Sequence, residues 1–259
     1  MSELMLEGKS VLVAGIGPGL GRSIAKAATA AGADVALVAR RQGPLDELAA
    51  DLAPTGRQVV TVAGDVTVAA DCARIAASVT DAFGGLDALV YNAYAPSLGT
   101  TLVDADLDEW RQVMEVNAFG ALELLRPLLP TLAERQGSVV LINTRQLRRP
   151  TNGAYVMSKG ALMAIGQVLA HELGPSGIRV NSVVPGWMWA APVEDYFTRQ
   201  AAAGGPSIEA QYDAVAGDFP LRRLPTADDV ANSVVFLASD QAAAITGQAL
   251  DVNAGEIFT

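Results

Sequence analysis

The chain has 259 residues, a length that a single α/β domain can reach. Hydrophobic residues make up 51% of the chain and charged residues 18%, which excludes an intrinsically disordered protein. The formal net charge of −10 at pH 7 argues against nucleic acid or anionic membranes as main partners, because their phosphates would be repelled. One cysteine and one histidine are too few for a disulfide framework or a Cys/His zinc site.

No run of about 18 apolar residues occurs, so we expect no transmembrane helix. The first ten residues lack the basic region and the long apolar core of a signal peptide. We therefore expect a cytoplasmic protein with no metal site and no membrane partner, whose apolar residues are buried inside a layered fold.

Short apolar or β-branched runs alternate with helical patterns along the chain. The pattern predicts strands at residues 10–14, 34–39, 58–63, 86–90, 138–142, 178–184 and 249–252. It predicts helices from a glycine-rich turn to about residue 31 and at residues 45–52, 68–83, 107–134, 152–173 and 226–237. Residues 187–220 are expected to be irregular or partly helical.

The predicted strands are apolar without alternation, which is typical of strands buried on both faces. Strands that alternate with helices imply right-handed crossovers and a doubly wound parallel sheet. We therefore predict one domain over residues 1–259, a Rossmann-type three-layer α/β/α fold with seven parallel strands. Ligands of such sheets bind beyond the carboxyl ends of the strands, so we expect the site residues there.

A glycine-rich turn at residues 14–22 follows the first strand. Glycine permits a tight turn and a close backbone approach to a pyrophosphate at the next helix N-terminus. The spacing Gly15-x-x-x-Gly19-x-Gly21 differs from the common G-x-G-x-x-G, although Gly15-x-Gly17 is also present, so an ordinary glycine-rich turn is the alternative. The position between strand and helix favours a dinucleotide site. Its predicted members are Gly15, Gly17, Pro18, Gly19, Leu20 and Gly21.

The second strand ends at Ala39 and is followed by Arg40 and Arg41. An acidic residue at this place would bind a ribose 2′-hydroxyl and repel a 2′-phosphate. Ala39 has no carboxylate, and arginine offers a permanently charged fork for phosphate. We therefore predict NADP(H) in preference to NAD(H), with a solvated arginine pair as the alternative.

Tyr155 and Lys159 are four residues apart on one predicted helix, so they share a face. A nearby ammonium stabilises a phenolate and lowers the tyrosine pKa, which would let Tyr155 exchange a proton with a substrate oxygen. By itself this pair is a weak signal, because helices contain many such pairs by chance.

Together with other motifs in the same order, the pair makes the chain resemble the short-chain dehydrogenase/reductase family over essentially its whole length. The motifs are Gly15-x-x-x-Gly19-x-Gly21, Asp65, Tyr91-Asn92-Ala93, Asn117, Tyr155-x-x-x-Lys159, Arg179-Val-Asn181, Pro185-Gly186 and Ile245-Thr-Gly-Gln248. The resemblance implies an NAD(P)-dependent oxidoreductase of carbonyls and alcohols. It also implies a homotetramer, or else a dimer, assembled through the helices at residues 107–134 and 152–173.

The same resemblance implies roles for single residues. Tyr155 would be the acid/base, Lys159 would bind the nicotinamide ribose and Tyr155, and Asn117 would hold a proton-relay water. The other cofactor contacts would come from Asp65 and Val66 beside the adenine, from Asn92 and Ala93 along the cofactor, and from Pro185, Gly186 and Met188 beside the nicotinamide.

Some positions depart from the family pattern. Thr144 stands where the family usually has a catalytic serine, and it keeps the hydroxyl; Asn143 is the competing neighbour. Tyr94 replaces a glycine and places an aromatic ring near the cleft. Ala14 and Ala190 replace threonines that are common in the family.

The predicted substrate pocket combines the loop after the fifth strand with residues 187–220, which in the family cover the substrate. Arg145, Arg148 and Arg149 in the loop fit an anionic substrate or, alternatively, a solvated loop or subunit contact. Six aromatic residues in the covering segment favour a bulky apolar or aromatic substrate, or alternatively internal packing. The predicted pocket residues are Tyr94, Arg145, Gln146, Leu147, Trp187, Trp189, Tyr196 and Phe197.

The chain contains two further residues with reactive side chains, His171 and Cys72, and we expect both to be structural. The predicted reaction is reversible hydride transfer between NADP(H) and a carbonyl carbon. The alternatives are reduction of a C=N or activated C=C bond, and a protein that binds NADP(H) without turnover.

Overall fold

The computed structural model describes residues 4–96, 103–148 and 153–258. Within these residues, seven strands form one parallel sheet. The predicted doubly wound Rossmann-type sheet is confirmed. The strands are β1 (Ser10–Ala14), β2 (Asp34–Ala39), β3 (Val59–Ala63), β4 (Ala88–Tyr91), β5 (Ser138–Ile142), β6 (Arg179–Pro185) and β7 (Ala249–Val252).

Helices cover both faces of the sheet. They are α1 (Leu20–Ala30), α2 (Gln42–Leu52), α3 (Ala69–Phe83), α4 (Leu107–Met114), α5 (Gly120–Arg135), α6 (Gly153–Leu173), α7 (Ala191–Ala202), α8 (Ile208–Gly217) and α9 (Ala227–Ala238). Residues 187–220, predicted as irregular or partly helical, therefore contain α7 and α8. Helix α2 begins three residues before the predicted start, because Pro44 is tolerated in a first helical turn.

The helix predicted at residues 107–134 is divided by a turn of π-helix, Glu115–Phe119, between α4 and α5. The hydroxyl of Tyr91 donates a hydrogen bond to the carbonyl oxygen of Val116 at 2.5 Å. A Cβ atom on Gly120 would lie 2.6 Å from the same hydroxyl. We attribute the irregular turn to this contact, because a side chain inserted against the helix competes with its backbone ladder.

Two apolar cores hold the layers together, one on each face of the sheet. On one face, Ile24, Leu48 and Val234 bring α1, α2 and α9 against the strands. On the other face, Ile75, Leu128 and Leu162 bring α3, α5 and α6 against them. Burial on both faces explains why the strands carry apolar residues without alternation.

The strand order, β3-β2-β1-β4-β5-β6-β7, places the reversal of the sheet between β1 and β4. Connections leave β1 towards β3 and leave β4 towards β7, in opposite directions. Such a reversal opens a crevice at the carboxyl ends of the two central strands. The glycine-rich turn after β1 and Asn92 after β4 border this crevice.

In the parts of the chain that the structure describes, no helix is both long and apolar enough to cross a bilayer.

Candidate active site

Two glycines of the first turn are required by close approaches of the backbone. Gly15 has a φ of +100°, and a Cβ atom there would lie 2.4 Å from the backbone nitrogen of Ala93. A Cβ atom on Gly21 would lie 2.4 Å from the carbonyl oxygen of Gly15. The amide of Asn92 fastens the turn by donating to that same oxygen at 2.7 Å. Larger residues at either position would separate the turn from β4.

The N-terminus of α1 is open towards the crevice. Gly19 is its N-cap and supplies no side-chain cap, and the first turn contains no acidic residue. A Cβ atom on Gly17 would meet nothing within 4 Å. Uncapped backbone N–H groups and the positive end of the helix dipole attract an anion, so this cradle fits the pyrophosphate of a dinucleotide.

A cavity of about 270 Å³ extends from the turn towards β2 and β3. Arg40 and Asp65 provide its charged groups, and Ile16, Val38 and Val66 give it apolar walls of the kind that suit an adenine ring. Asp65 accepts hydrogen bonds from the backbone and hydroxyl of Thr67.

A second cavity of about 320 Å³ extends from the same turn towards β5 and β6. Thr144, Tyr155 and Lys159 stand together in its wall. Both cavities share Gly15, Gly17, Asn92 and Tyr94, so they form one groove along the crevice. Among the predicted cofactor residues, Arg41 alone lines neither cavity; it is exposed at the start of α2.

Tyr155 and Thr144 both line the second cavity. Burial raises the pKa of Tyr155 to about 12, and the nearby Thr144 hydroxyl opposes this rise by favouring the phenolate. The expectation that a neighbouring ammonium lowers this pKa is therefore wrong for this structure. The phenol is protonated at neutral pH.

The position of Lys159 explains why its ammonium does not lower the pKa of Tyr155. Its side chain is buried, and Nζ donates a hydrogen bond to the carbonyl oxygen of Ile142 at 2.8 Å. Burial lowers the pKa of Lys159 to about 7, because no carboxylate compensates the charge. Lys159 therefore contacts the end of β5 through its ammonium and also lines the second cavity.

Asn117 lies buried in the π-helical turn and connects three segments. Its Oδ1 accepts from the backbone nitrogen of Ala95 at 2.6 Å, and its Nδ2 donates to the Ala95 carbonyl and to Ser158 Oγ. Ser158 in turn donates to the carbonyl oxygen of Tyr155. Both amide hydrogens are therefore in use, and the role of Asn117 with a relay water stays a prediction.

Tyr94 is the predicted pocket residue that reaches the groove. Its ring meets the Tyr155 ring edge to face, with centroids 6.4 Å apart, and about half of the side chain is exposed. Gln146 and Leu147 belong to a short 3-10 turn and line neither cavity; Leu147 lies against Gly160 of α6 instead.

The predicted aromatic residues form a cluster with one another. The ring centroid of Phe197 lies 5.9 Å from those of Trp187, Trp189 and Tyr196, and Trp189 meets Tyr212 edge to face at 4.9 Å. Phe197 is 2% exposed. These rings pack between the covering segment and the body and line neither cavity of the groove, while Trp187 and Arg145 line a separate cavity of about 510 Å³.

Both described arginines of the loop after β5 have acidic partners. Arg145 pairs with Glu256 at 2.9 Å and lies over the Trp187 ring at 5.6 Å. Arg148 pairs with Asp251 at 3.3 Å. Arg149 lies outside the described residues.

The remaining reactive side chains are not part of the groove. His171 is exposed near the end of α6. Cys72 is buried, donates to the carbonyl oxygen of Val66, and has a pKa raised to about 11 by burial, so it is a structural thiol. No group of three or more potential metal ligands occurs among the described residues.

The sequence patterns did not indicate every residue of the groove. Pro192 and Val193 of α7 line the second cavity, although nothing in their local sequence marks them. Asn143 and Ala190, which the sequence had already indicated as the neighbour competing with Thr144 and as the replacement of a common threonine, also line it. Only the folding of the covering segment over the crevice brings α7 to this position.

Known proteins share this combination of fold and groove. A family model described as enoyl-(acyl carrier protein) reductase matches residues 15–256. Relatives include 2-(S)-hydroxypropyl-CoM dehydrogenase 3 of Xanthobacter autotrophicus, 34% identical over 96% of this chain and 97% of that protein. Another is 2,5-dichloro-2,5-cyclohexadiene-1,4-diol dehydrogenase of Sphingobium indicum, 30% identical over 96% of this chain and 97% of that protein.

A solved structure extends the similarity to three dimensions. L-sorbose reductase from Gluconobacter frateurii, complexed with NADPH and L-sorbose, superposes with a TM-score of 0.93, 29% identity and 99% coverage of both chains. The family model spans nearly the whole chain, and both relatives reach 30% identity over almost their full length. The chain belongs to the short-chain dehydrogenase/reductase family of nicotinamide-dependent oxidoreductases.

Proposed function

We propose that the protein is an NADP(H)-dependent oxidoreductase that interconverts a carbonyl and a secondary alcohol, with a bulky apolar or aromatic substrate. The observation that carries this proposal is that Tyr155, Thr144 and Lys159 stand together in the wall of one groove, which begins at the open N-terminus of α1. A positioned phenol next to a second hydroxyl is suited to exchanging a proton with a substrate oxygen.

The chain offers a complete set of cofactor contacts along the groove. The bound nicotinamide cofactor would supply or accept the hydride. The residues proposed to hold it are Gly15, Gly17, Pro18, Gly19, Leu20, Gly21, Arg40, Asp65, Val66, Asn92, Ala93, Lys159, Pro185, Gly186 and Met188.

The proton chemistry falls to the side chains at the end of β5 and on α6. During reduction, the protonated phenol of Tyr155 donates its proton to the oxygen of the substrate carbonyl. The Thr144 hydroxyl donates a hydrogen bond to the same oxygen. The Lys159 ammonium, held by the carbonyl oxygen of Ile142, places a positive charge beside the reaction. Among the described residues that line the second cavity there is no carboxylate, so the charge that Lys159 carries below a pH of about 7 is uncompensated there.

Two observations support the choice of NADP(H). Arg40 lines the first cavity directly after β2, and Ala39 at the end of that strand contributes no carboxylate. A 2′-phosphate would meet a guanidinium at this place and no repelling charge from β2. Asp65 follows the neighbouring strand β3, and its carboxylate is held in place by hydrogen bonds from the backbone and hydroxyl of Thr67.

Replacing Arg40 by glutamine tests the cofactor preference. A hydrogen bond to a charged group contributes about 1.5–3 kcal/mol, so we expect KM for NADPH to rise by roughly 10- to 100-fold while KM for NADH changes little. Initial rates with both cofactors measure this, with Arg57→Gln, which breaks a remote ion pair with Glu7, as the matched control. A wild-type KM for NADH equal to or below that for NADPH would contradict the proposal.

The walls of the second cavity support an apolar substrate. Tyr94, Met188 and Val193 supply apolar surface next to Tyr155. Glu256 balances the charge of Arg145, which disfavours the alternative of an anionic substrate. We propose that α7 and α8 cover the bound substrate and that their aromatic cluster stiffens this cover.

Reduction of an activated C=C bond is the second candidate, because the matching family model carries the name of an enoyl reductase. A panel of ketones, aldehydes, imines and enones with NADPH separates the candidates through identification of the products. Alcohol products support the proposal, whereas saturated carbonyl products support the alternative. Tight NADPH binding without turnover of any class would indicate a protein that binds the cofactor only.

The raised pKa of Tyr155 predicts opposite pH responses for the two directions of reaction. Because this pKa is about 12, the phenol stays protonated from pH 6 to pH 9 and remains ready to donate during reduction. Alcohol oxidation needs the phenolate, whose fraction rises about tenfold per pH unit in this range. We expect the ratio of kcat/KM for oxidation to kcat/KM for reduction to increase with pH, and kcat/KM for reduction to fall above about pH 7, where Lys159 loses its charge. Oxidation that is fastest at pH 6 would contradict the acid/base role of Tyr155.

We further propose a homotetramer, with a dimer as the second choice. Phe119, Met157 and Val168 are exposed apolar side chains on the π-helical turn and on α6, and Leu107 opens α4 in the same way. Their burial between subunits would remove apolar surface from water. Light scattering of the purified protein determines the mass of the assembly.

A further inference from the structure

Glu256 lies close to the end of the described chain, yet its carboxylate is buried beside the candidate active site. One oxygen, Oε1, lies 2.9 Å from the guanidinium of Arg145, and the two side chains are 7% and 18% exposed. An ion pair with so little exposure is strongly sensitive to the loss of one partner, because the other charge then remains buried without compensation.

The other oxygen of the same carboxylate holds a different loop. Glu256 Oε2 accepts a hydrogen bond from the backbone nitrogen of Trp187 at 3.0 Å. A Cβ atom on Gly186 would lie only 2.5 Å from Oε2, so this approach requires glycine at position 186. One carboxylate therefore joins the loop after β5 to the turn after β6.

Both segments contribute residues to the wall of the second cavity. Thr144 directly precedes Arg145, and Gly186 and Met188 flank Trp187. Glu256, which connects these two segments, lines neither cavity of the groove itself.

The backbone before Glu256 is built to present this side chain. Ala254 and Gly255 have φ values of +54° and +87°, which turn the chain sharply after β7. Asn253 is buried, accepts from the nitrogen of Gly255 and donates to the carbonyl oxygen of Ile257. A left-handed alanine costs free energy and persists where its surroundings determine it, so the turn is a specified feature.

We propose that Glu256 is a positioning residue for the reaction, whose carboxylate sets the separation of Thr144 from the turn at Pro185–Met188. This inference rests on the proposed function, since it concerns the same groove. Loss of the carboxylate would release both segments, moving the Thr144 hydroxyl away from the substrate oxygen while the glycine-rich turn and its phosphate cradle stay in place.

The kinetic test compares Glu256→Gln and Glu256→Ala with the wild type and with Glu7→Gln, which disrupts the remote ion pair with Arg57. We expect kcat to fall by at least tenfold in both Glu256 variants, with Kd for NADPH within about threefold of the wild-type value. The Glu7 variant should keep its kcat. A purely structural role would lower Tm and leave kcat of the folded enzyme unchanged, and that result would overturn the inference.

Amide hydrogen exchange, followed by mass spectrometry on the full chain, tests the same inference without a substrate. We expect peptides containing residues 144–148 and 185–189 to exchange faster in Glu256→Gln, with peptides covering β2 and β3 unchanged. Equal exchange in wild type and variant overturns the inference. If Glu256→Ala does not fold, Glu256→Gln decides, because it keeps an acceptor for the nitrogen of Trp187 and removes only the charge.

The two measurements separate failure of this inference from failure of the proposed function. A wild-type protein that turns over no carbonyl with NADPH refutes the function, while the exchange experiment still decides whether Glu256 holds the two segments. An active wild type whose Glu256 variants match it in kcat and exchange refutes the positioning role alone.

Discussion

Replacing Tyr155 by phenylalanine is expected to reduce kcat for carbonyl reduction by about a thousandfold, while Kd for NADPH stays within about threefold. The substitution removes the proton donor, but it keeps the ring and its edge-to-face contact with Tyr94. General acid catalysis contributes about 10²- to 10⁴-fold to a rate, which sets this magnitude. Steady-state kinetics and a fluorescence titration with NADPH measure the two quantities.

Tyr212→Phe is the matched control for that substitution. It also removes one phenolic hydroxyl, which accepts from the nitrogen of Leu224, but it lies in the aromatic cluster and lines neither cavity. We expect kcat of this variant to remain near the wild-type value. Turnover retained by Tyr155→Phe would refute the mechanism, and equal losses in both variants would show that the effect is not specific to the site.

Replacing Lys159 by methionine is expected to abolish turnover and at the same time to raise the thermal stability of the cofactor-free protein. The ammonium is buried with one carbonyl oxygen as its acceptor among the described residues, and no carboxylate compensates it. Removing it deletes the charge beside the reaction but also deletes a desolvation cost. Tm should rise by about 2–4 °C for each kcal/mol recovered.

The stability change has a defined dependence on pH. The pKa of Lys159 is about 7 in the folded protein and 10.5 for an ordinary lysine. Between these values the unfolded chain binds more protons, so the stability of the wild type increases with pH and the burial cost is complete below pH 7. The gain in Tm from Lys159→Met should therefore be larger near pH 6.5 than near pH 9.5.

Lys26→Met serves as the control, because Lys26 is an exposed lysine on α1 with a distant ion-pair partner in Asp51. We expect no gain in Tm and no loss of activity from this variant. A fall in Tm for Lys159→Met at pH 6.5 would show that the ammonium stabilises the fold and would contradict the burial argument.

Much of the fold could be predicted because the local sequence patterns match the burial that the tertiary structure gives to the same residues. Continuous apolar strands such as Ser10–Ala14 and Ser138–Ile142 are buried on both faces, so their composition alone indicates a covered parallel sheet. The π-helical turn at Glu115–Phe119 could not be predicted, since it follows from a hydroxyl that arrives from β4, outside the helix itself.

The site shows the same division. Gly15, Tyr155 and Lys159 stand in short motifs whose spacing reflects one turn or one helix face, and all three line the groove. The aromatic residues of the covering segment are close in sequence, and this proximity suggested a pocket wall. The rings pack on one another, and Trp187 also lines a separate cavity together with Arg145; local spacing does not specify which face of α7 meets the body.

The class of sheet, the place of the dinucleotide site and the chemical groups available for proton transfer could be predicted from local sequence, because each depends on residues that are neighbours in the chain. The pKa values of those groups and their positions relative to one another depend on the folded structure. The pKa of Tyr155 is raised by burial and that of Lys159 is lowered by burial, and Glu256 reaches Arg145 from 111 positions further along the chain. Desolvation and long-range ion pairs depend on the packing of distant segments, which no local pattern records.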